Sequence, residues 1–387
     1  MTTDGTAPLP FQLLATDPST DARRGRVTCP HGVIETPAFM PVGTQGTVKT
    51  LHPDEVWATG ARIVLANTYH LMLRPGAPLV KAAGGLHRFI SWDAPILTDS
   101  GGFQIFSLAH NARVTDTGVT FRSHLNGDRI DLSPERAIEL QLDFGADIIM
   151  ALDHFVGLPA TRETTERATA RTALWLDRCI DAHHRLDGPQ RGSSLFGICQ
   201  GGMEPDLRRE SAEMVAETSV AGCAIGGLSV GEAKPVMHAM LEEVGPLLPA
   251  AKPRYLMGVG SPEDLWHGVR RGVDLFDCVL PTRLARNGAL FTADGRIDIH
   301  ARRYADVHDP IETDCDCATC SRFSAAYLHH LFRAREILGL RLASVHNLRF
   351  LSRQMETMRS AIEGGCFGSA FAAFTGRYQP VTRTSRG

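Results

Sequence analysis

The segments PILTDSGG at 95–102 and DIIMALDH at 147–154 share one pattern, in which a short apolar run ends in polar or glycine residues. Eight such runs occur along the chain, and a helical stretch often follows them. A continuous apolar run is typical of a strand that is buried on both faces, as in a parallel sheet. The other six runs are MPVGTQG (40–46), RIVLANTYH (62–70), LFGICQGG (195–202), CAIGGL (223–228), RYLMGVG (254–260) and LFDCVLP (275–281).

Helical patterns separate the later runs. The last helical pattern begins with Ser-Pro-Glu-Asp at 261–264, which is typical of a helix start. Eight strands alternating with helices favour an α/β fold of the (β/α)8, or TIM barrel, type, in which the carboxyl ends of the strands form the active face. An open doubly wound sheet is the alternative, but no GxGxxG motif opens a helix. The predicted helices cover 161–186, 204–218, 232–246 and 261–271.

Two segments interrupt the alternation of strands and helices. Residues 118–132 alternate in polarity around Asn126-Gly127, which predicts a β-hairpin. Residues 282–347 are rich in Arg, His and Cys and predict an Arg-rich loop followed by a zinc-binding subdomain. We therefore expect a barrel core over 1–281, this inserted subdomain over 282–347, and a C-terminal helix that packs on the barrel before a short tail within 348–387.

Composition limits the classes of function. The formal net charge of −3 gives no global attraction to nucleic acid, so RNA binding would need a local patch. No run of about 18 apolar residues predicts a membrane span, and the N-terminus lacks the features of a signal peptide. The nine cysteines, several of them in apolar runs, are typical of free thiols in a reducing compartment. We therefore expect a cytoplasmic protein.

A group of closely spaced cysteines predicts a metal site. They form a C-x-C-x2-C motif at Cys315, Cys317 and Cys320. Thiolates at this spacing suit zinc, which takes four ligands in structural sites. Coincidental surface thiols are the alternative, but they would be prone to oxidation. His329, His330 and His346 are candidates for the fourth ligand, and we favour His346 because the other two lie within a helical pattern. One structural Zn²⁺ per chain would then hold the subdomain together.

Polar residues at the ends of the predicted strands could form a catalytic site. Three of them are aspartates: Asp99, Asp153 and Asp277. Two carboxylates across a barrel mouth can cleave a glycosidic bond, one as nucleophile and one as proton carrier. Each could instead be a helix cap or a loop residue. Gln200 suits a purine edge, and Phe103 and Met257 could enclose a ring, although ordinary packing explains these two equally well.

Arginines are concentrated directly after the eighth run. Residues 281–303 carry five arginines and two aspartates, and arginine matches phosphate geometry. The segment therefore predicts an RNA-backbone platform beside the active face, with a solvated surface loop as the alternative. The arginines are Arg283, Arg286, Arg296, Arg302 and Arg303.

In combination, these motifs resemble the bacterial tRNA-guanine transglycosylases. The resemblance runs from about residue 10 to residue 365, and its most specific parts are FDCVLPTR (276–283) and CDCATC (315–320). It implies a (β/α)8 barrel with a zinc subdomain, and no redox cofactor. The other matching motifs are TDSGGFQ (98–104), SHLNGDR (123–129), LSPERAIELQ (132–141), GICQGG (197–202), AIGGLSVGE (224–232), YLMGVG (255–260) and ARNGALFT (285–292).

The resemblance also implies an activity. Such enzymes exchange guanine at the wobble position of tRNAs with a G-U-N anticodon, those for Asp, Asn, His and Tyr, for the 7-deazaguanine base preQ1 (7-aminomethyl-7-deazaguanine), in queuosine biosynthesis. By the same resemblance, the exchange is a double displacement in which Asp277 is the nucleophile and Asp99 the general acid/base. The resemblance also implies that Cys315, Cys317, Cys320 and His346 bind the zinc ion.

The resemblance assigns binding roles residue by residue. Asp153, Gln200 and the backbone of Gly227 would hold the edge of the base, while Phe103 and Met257 would stack on its faces. The carbonyl of Leu228 would face the 7-substituent, supported by Glu232. Contacts with the anticodon loop and the interface of a homodimer are also implied. They fall on Arg283 and Arg286 for the tRNA, and on Phe89, Phe323, Tyr327 and His330 for the dimer.

One segment departs from the bacterial pattern. Asp153 is followed by His154 and Phe155, where bacterial members usually read Glu-Cys, and Phe103 stands where they usually have tyrosine. If these residues border the base, they change the size and charge of the pocket near the 7-substituent. Queuine, the base that eukaryotic members use, is therefore the alternative incoming base.

Two functions outside this activity are also compatible with parts of the sequence. A glycoside hydrolase would share the carboxylate pair, but it leaves the cysteine cluster and the Arg-rich stretch unexplained. A noncatalytic tRNA-binding subunit would lack part of the aspartate set, whereas Asp99, Asp153 and Asp277 are all present.

Overall fold

Eight parallel strands close into a barrel in the computed structural model, which describes residues 10–108 and 112–380. In chain order, the strands of these ranges are β1 (Phe11–Thr16), β2 (Arg23–Cys29), β3 (Gly32–Thr36), β4 (Ala38–Pro41), β5 (Val64–Ala66), β6 (Ile96–Thr98), β7 (Arg113–Thr115), β8 (Gly118–Arg122), β9 (Arg129–Leu132), β10 (Ile148–Met150), β11 (Ser194–Cys199), β12 (Gly222–Ile225), β13 (Arg254–Leu256), β14 (Leu275–Cys278), β15 (Ala289–Thr292) and β16 (Gly295–Asp298).

The barrel is formed by β4, β5, β6 and β10–β14, one strand from each of the eight predicted runs. Neighbouring strands pair in parallel, and β14 pairs with β4. A parallel bridge between Val42 and Leu65 joins β4 to β5, with Gly43 N donating to Leu65 O at 2.7 Å. The sheet therefore has no open edge, which confirms the predicted barrel and excludes the doubly wound sheet.

The four predicted helical patterns form the helices α7 to α10. Ser261 accepts a hydrogen bond from Asp264 N at the start of α10, as its sequence predicts. In chain order, the helices of the described ranges are α1 (Pro53–Ala58), α2 (Thr68–Leu73), α3 (Ala77–Ala82), α4 (Leu86–Ile90), α5 (Gly102–Leu108), α6 (Pro134–Phe144), α7 (Arg162–Arg185), α8 (Pro205–Glu217), α9 (Lys234–Val244), α10 (Pro262–Arg270), α11 (Leu280–Arg286), α12 (Ala325–Ala334), α13 (Ile337–Glu363) and α14 (Phe367–Arg377). None of them is long and apolar enough to cross a membrane.

Two antiparallel sheets of three strands each flank the barrel. The sheet β1–β2–β3 lies over its amino end, where Val27 and Ile34 pack with the apolar interior of the barrel. The pair β8–β9 forms the hairpin predicted around Asn126-Gly127, and β7 adds a third strand that the sequence pattern did not predict.

The Arg-rich segment is not a loop, so that prediction is wrong. Its first part is α11, which carries Arg283 and Arg286, and its second part is the hairpin of β15 and β16. The high charge conceals two local signals: a proline in the first turn of α11 and a glycine directly after a two-residue turn at 293–294.

The C-terminal part also differs from the single C-terminal helix expected within 348–387. Helix α13 begins at Ile337, so it spans both the predicted subdomain and the predicted C-terminal helix, and α14 follows it. It packs against β4 of the barrel and against α11 and α12. The described residues end at 380, so the part of the predicted short tail from residue 381 onward lies outside them.

Candidate active site and metal centre

A cavity of about 410 Å³ opens at the carboxyl ends of the barrel strands. Most of the candidate catalytic and base-binding residues line it, and Glu232 is the exception. Of the arginines of the predicted RNA-backbone platform, only Arg283 is in the lining, and Arg286, Arg296, Arg302 and Arg303 lie outside it. The predicted residues in the lining are Asp99, Phe103, Asp153, Gln200, Gly227, Leu228, Met257, Asp277 and Arg283.

Asp99 follows β6 directly and is buried, with both carboxylate oxygens hydrogen-bonded. Thr68 N donates to Oδ1 at 2.8 Å, while Gln104 Nε2, at 2.8 Å, and Asn67 Nδ2 donate to Oδ2. Burial raises the pKa of Asp99 to about 6, although these hydrogen bonds act in the opposite direction. The negative charge of Asp277 also raises the pKa of Asp99. A carboxyl group with this pKa can take up and release a proton near neutral pH.

Asp277 lies in β14 and is half-buried at the cavity. Tyr255 OH and Gly258 N donate to the same oxygen, Oδ1, at 2.6 and 2.7 Å. Burial raises the pKa of Asp277, and the two hydrogen bonds oppose that shift. Within the described ranges no donor reaches Oδ2, so this oxygen is available to a ligand in the cavity. Tyr255 was missed in the sequence, although it lies two residues before Met257 and therefore on the same face of the chain.

Asp153 and Gln200 form a polar pair on the wall of the cavity. Gln200 Nε2 donates to Asp153 Oδ2 at 2.6 Å, and Ser100 Oγ lies 3.4 Å from Oδ1. Burial raises the pKa of Asp153 to about 6. Gly227 lies beside them with φ at +67°, and a Cβ atom there would meet Gln200 Oε1 at 2.5 Å. Only glycine fits this position, which allows its backbone to approach a flat ligand.

Glu232 orients the loop after β12 from outside the cavity. Its carboxylate accepts hydrogen bonds from Ser229 N and, at 2.9 Å, from Val230 N. The C=O and N–H of a trans peptide point in opposite directions. The Leu228 carbonyl therefore points away from Glu232, on the side where Leu228 and Ser229 line the cavity.

Of the residues that depart from the bacterial pattern, Phe103 and Phe155 face the cavity, whereas His154 lies outside its lining. Phe155 lines the cavity, and its ring packs edge-to-face on Phe103 with centroids 5.0 Å apart. The expectation that His154 also borders the base is wrong. Its ring stacks on Phe106 outside the cavity lining, and Arg171 Nη1 lies 3.2 Å from its Nδ1. Burial and this arginine lower the pKa of His154 to about 4, so it is neutral at pH 7.

The predicted metal ligands come together, and all four are buried. The cysteines lie on the loop before α12 and His346 lies on α13. The Sγ atoms of Cys315, Cys317 and Cys320 are 3.8, 3.7 and 3.3 Å from His346 Nδ1. A tetrahedral zinc ion would place sulfur and nitrogen ligands about 3.6 Å apart. The four residues thus have the geometry to hold a metal ion.

The orientation of His346 fits the same role. Its Nε2 donates to the carbonyl of Phe291 at 2.7 Å, which leaves the lone pair of Nδ1 for a metal. The other candidate histidines lie on α12 and do not join the cluster. His329 Nδ1 lies 2.7 Å from the carbonyl of Ile299 instead.

The two candidate tRNA-binding arginines lie three residues apart on α11, which places them on one face of the helix. Arg283 is exposed and lines the cavity. Arg286 is half-buried, and its Nη1 is buried without a hydrogen-bond partner in the part of the chain that the structure describes. Burial lowers the pKa of Arg286.

The fold and the site define a class: a (β/α)8-barrel enzyme with paired carboxylates at the carboxyl ends of its strands and a separate Cys3His centre. Comparison with known proteins then defines the family. A family model described as queuine tRNA-ribosyltransferase matches residues 17–380.

Relatives of the same description are similar over almost the whole chain. A queuine tRNA-ribosyltransferase of Herpetosiphon aurantiacus is 57% identical, over 95% of this chain and 92% of its own length. Those of Symbiobacterium thermophilum and Bacillus subtilis are 55% and 51% identical, over 95% and 96% of this chain and 91% and 96% of their own lengths. The chain therefore belongs to the queuine tRNA-ribosyltransferase family, enzymes of the tRNA-guanine transglycosylase, or pentosyltransferase, type. This confirms the resemblance seen in the sequence and decides against a glycoside hydrolase.

Proposed function

We propose that this chain exchanges the wobble guanine of G-U-N tRNAs, those for Asp, Asn, His and Tyr, for preQ1 by double displacement. The observation that supports this mechanism most directly is the difference between two carboxyl groups in one cavity. Asp277 has one oxygen held by donors and one oxygen free of them, as a nucleophile requires. Asp99 has both oxygens held by donors, and its pKa of about 6 meets the requirement of a proton carrier near neutral pH.

In the first displacement, Asp277 Oδ2 attacks C1′ of the ribose while the bond from C1′ to N9 of guanine breaks. The bonding electrons leave with guanine, and protonated Asp99 supplies the proton that the departing base takes up. The result is a covalent ester between tRNA and Asp277. In the second displacement, ionised Asp99 accepts the N9 proton of the incoming base, and that nitrogen attacks C1′ and releases Asp277. Two inversions retain the configuration.

The wall of the cavity offers groups that match a guanine-like edge. A carboxylate at Asp153 accepts from the N1–H and the 2-amino group, while Gln200 and the amide of Gly227 donate to O6. Phe103 and Met257 lie in the same lining and would pack on the faces of the base.

Selection of preQ1 would depend on the group that faces position 7. The Leu228 carbonyl, oriented by Glu232, is an acceptor for the aminomethyl group of preQ1. Phe155 replaces a smaller residue of the bacterial pattern and narrows the apolar side of the cavity against Phe103. This favours preQ1 over queuine, which carries a bulkier ring at that position and remains the alternative substrate.

The other parts of the molecule would bind the tRNA and a second subunit. We assign one structural Zn²⁺ to the Cys3His centre, where it takes no part in the chemistry. Arg283 and Arg286 would contact the anticodon loop, and the unpartnered Nη1 of Arg286 could donate to a phosphate. Exposed aromatic rings would pair in a homodimer, in a cytoplasmic location. They belong to Phe89 and Tyr327; the half-buried ring of Phe323 and the ring of His330 both stack on Tyr327.

The test is incorporation of radiolabelled guanine into unmodified G-U-N tRNA, followed by a chase with preQ1 or queuine. Wild type should incorporate label, and Asp277→Ala should lower the rate by at least about 10³-fold, because the nucleophile is lost. Asp177→Ala, at an exposed aspartate of α7, is the matched control and should exchange like wild type. A faster chase by queuine would overturn the substrate assignment. No incorporation by folded wild type would leave only a noncatalytic tRNA-binding role.

A further inference from the structure

A second group of potential metal ligands lies at the opposite end of the barrel from the active site. Asp147 directly precedes β10, whereas Asp153 of the active site follows that strand. His31 Nδ1 lies 2.8 Å from Asp147 Oδ1, and His87 Nε2 lies 2.9 Å from Asp147 Oδ2. The two imidazole rings stack with centroids 3.5 Å apart. All the potential ligand atoms fall within 4.8 Å of one another.

The geometry points to a metal site, and we propose that His31, His87 and Asp147 bind one divalent transition metal ion, independently of the Cys3His centre. Metal bonds of about 2.1 Å at the right angles of an octahedral site place neighbouring ligands about 3.0 Å apart. The two nitrogen–oxygen distances of 2.8 and 2.9 Å match that edge. Two imidazoles and a carboxylate suit Ni²⁺ or Co²⁺, with water completing an octahedral coordination.

The surroundings hold the carboxylate in place and leave a route for the ion. Asp147 is buried, and Ile96 N donates to its Oδ2 at 2.9 Å, so the side chain cannot turn away freely. The side chain of His31 is 43% exposed, which gives the ion and its waters access from solvent.

The three ligands come from separate segments, so a bound ion would crosslink them. His31 lies on the turn between β2 and β3, His87 lies on α4, and Asp147 directly precedes the barrel strand β10. The ion would fix the N-terminal sheet onto the amino end of the barrel. It would stabilise the folded chain by mass action, because the unfolded chain lacks the assembled site. Without an ion, the same geometry is a hydrogen-bonded network in which both histidines donate to Asp147.

The experiment measures metal binding by the full chain with its Cys3His metal in place. Weakly held metal is removed by dialysis, Co²⁺ is added, and bound metal per chain is determined by mass spectrometry and absorption. Wild type should take up one further equivalent. The Co²⁺ of this further equivalent should give weak visible bands and no thiolate-to-cobalt charge-transfer band. The absence of that band distinguishes it from Co²⁺ bound at the cysteines. The melting temperature should rise with Co²⁺.

The decisive variant is His31→Asn, because its side-chain amide can still donate to Asp147 but is a poor metal ligand. It should weaken binding of the second equivalent by roughly 10–100-fold or more, the loss typical of even an outer-shell partner. Its melting temperature before Co²⁺ is added should equal that of wild type. His184→Asn, at an exposed histidine of α7, is the matched control and should bind both equivalents. The proposal is wrong if wild type binds only the Cys3His equivalent, or if His31→Asn binds the second one as tightly as wild type.

Discussion

At the level of single residues, the arrangement of donors around each carboxyl group separates the proposed roles. Asp99 and Asp277 are both aspartates at barrel strand ends, so their positions in the sequence do not distinguish them. Asp99 accepts hydrogen bonds on both oxygens, whereas the donors to Asp277 converge on Oδ1. In the proposed mechanism, Tyr255 and Gly258 thereby leave Oδ2 as the oxygen that attacks, because they hold Oδ1.

Tyr255→Phe should lower kcat for guanine exchange by roughly 10–100-fold, because a hydrogen bond to a charged group contributes about 1.5–3 kcal/mol. The Tyr255 hydroxyl lowers the pKa of Asp277, so its removal raises that pKa. The acid limb of the pH–rate profile should therefore move to higher pH. The control is Tyr304→Phe, because Tyr304 lies outside the cavity lining. This variant should keep the wild-type pH–rate profile. An unchanged profile in Tyr255→Phe would show that Tyr255 does not act on Asp277.

Asp153→Asn should stabilise the fold at alkaline pH while it abolishes exchange. Burial raises the pKa of Asp153 to about 6 in the folded chain, above its value in the unfolded chain. Below about pH 4 the group is therefore protonated in the folded chain, and wild type keeps its full stability. That stability is lost as the pH rises through about 6, and the ionised group then costs about 1–3 kcal/mol. The gain in melting temperature over wild type should thus be present at pH 8 and largely absent at pH 4. Asp177→Asn should show no such difference. A gain that is independent of pH would contradict this explanation.

At the level of elements, a buried arginine of α8 joins the ends of two barrel strands. The side chain of Arg208 donates to the carbonyls of Gly202 and Gly226 at 2.8 and 2.7 Å, and to that of Gly227 at 3.1 Å. Burial lowers its pKa to about 10, so it stays charged at pH 7. Helix α8 therefore positions the glycine loop that the proposed function assigns to base binding, although Arg208 is outside the cavity lining.

Arg208→Met should destabilise the chain by about 2–4 kcal/mol, because the buried carbonyl of Gly226 and the half-buried carbonyls of Gly202 and Gly227 lose their donors. It should also raise KM for the free base more than it lowers kcat, since the Gly226–Gly227 loop loses its support. Arg209→Met is the matched neighbour on α8. Arg209 pairs with Glu243 at the surface, where an ion pair contributes little. Equal melting curves and equal KM values for the two variants would refute the role of Arg208.

For the whole molecule, α13 connects the metal centre to the barrel. It carries His346 at one end of the subdomain core and packs against β4 in the barrel wall. The same helix positions Asn347, whose side chain donates to the carbonyls of Pro281 and Ala289 at 3.0 Å. The metal centre is therefore linked through α13 to the segment that carries the proposed tRNA-binding arginines.

Cys317→Ser should lower the melting temperature and weaken tRNA binding more than it weakens binding of the free base. The reason is that loss of a ligand loosens α13 and α11, while the cavity wall of the barrel stays intact. Calorimetry and separate titrations with tRNA and guanine measure the two effects. Cys366→Ser changes an exposed cysteine outside the metal cluster and serves as the control. Wild-type tRNA affinity in a metal-free Cys317→Ser protein would contradict the link through α13.

Local sequence determined much of the architecture and most of the candidate site. Eight apolar runs marked the barrel strands, because strands buried on both faces leave a continuous signal. The C-x-C-x2-C motif marked the metal centre, since its cysteines are adjacent in sequence. Motif resemblance marked the family, and a family model that covers 17–380 confirmed it.

Tertiary structure decided what depends on segments that are distant in the chain. It brought His346 to the cysteines, as the sequence favoured, because the register of α13 places its Nδ1 beside their sulfur atoms. It turned His154 away from the cavity and Phe155 toward it, although the two are adjacent in sequence. It also brought Tyr255 to Asp277 and brought His31 and His87 to Asp147. Hydrogen bonds and burial depend on which groups are in contact in the folded chain. Sequence spacing alone does not determine contacts between distant segments.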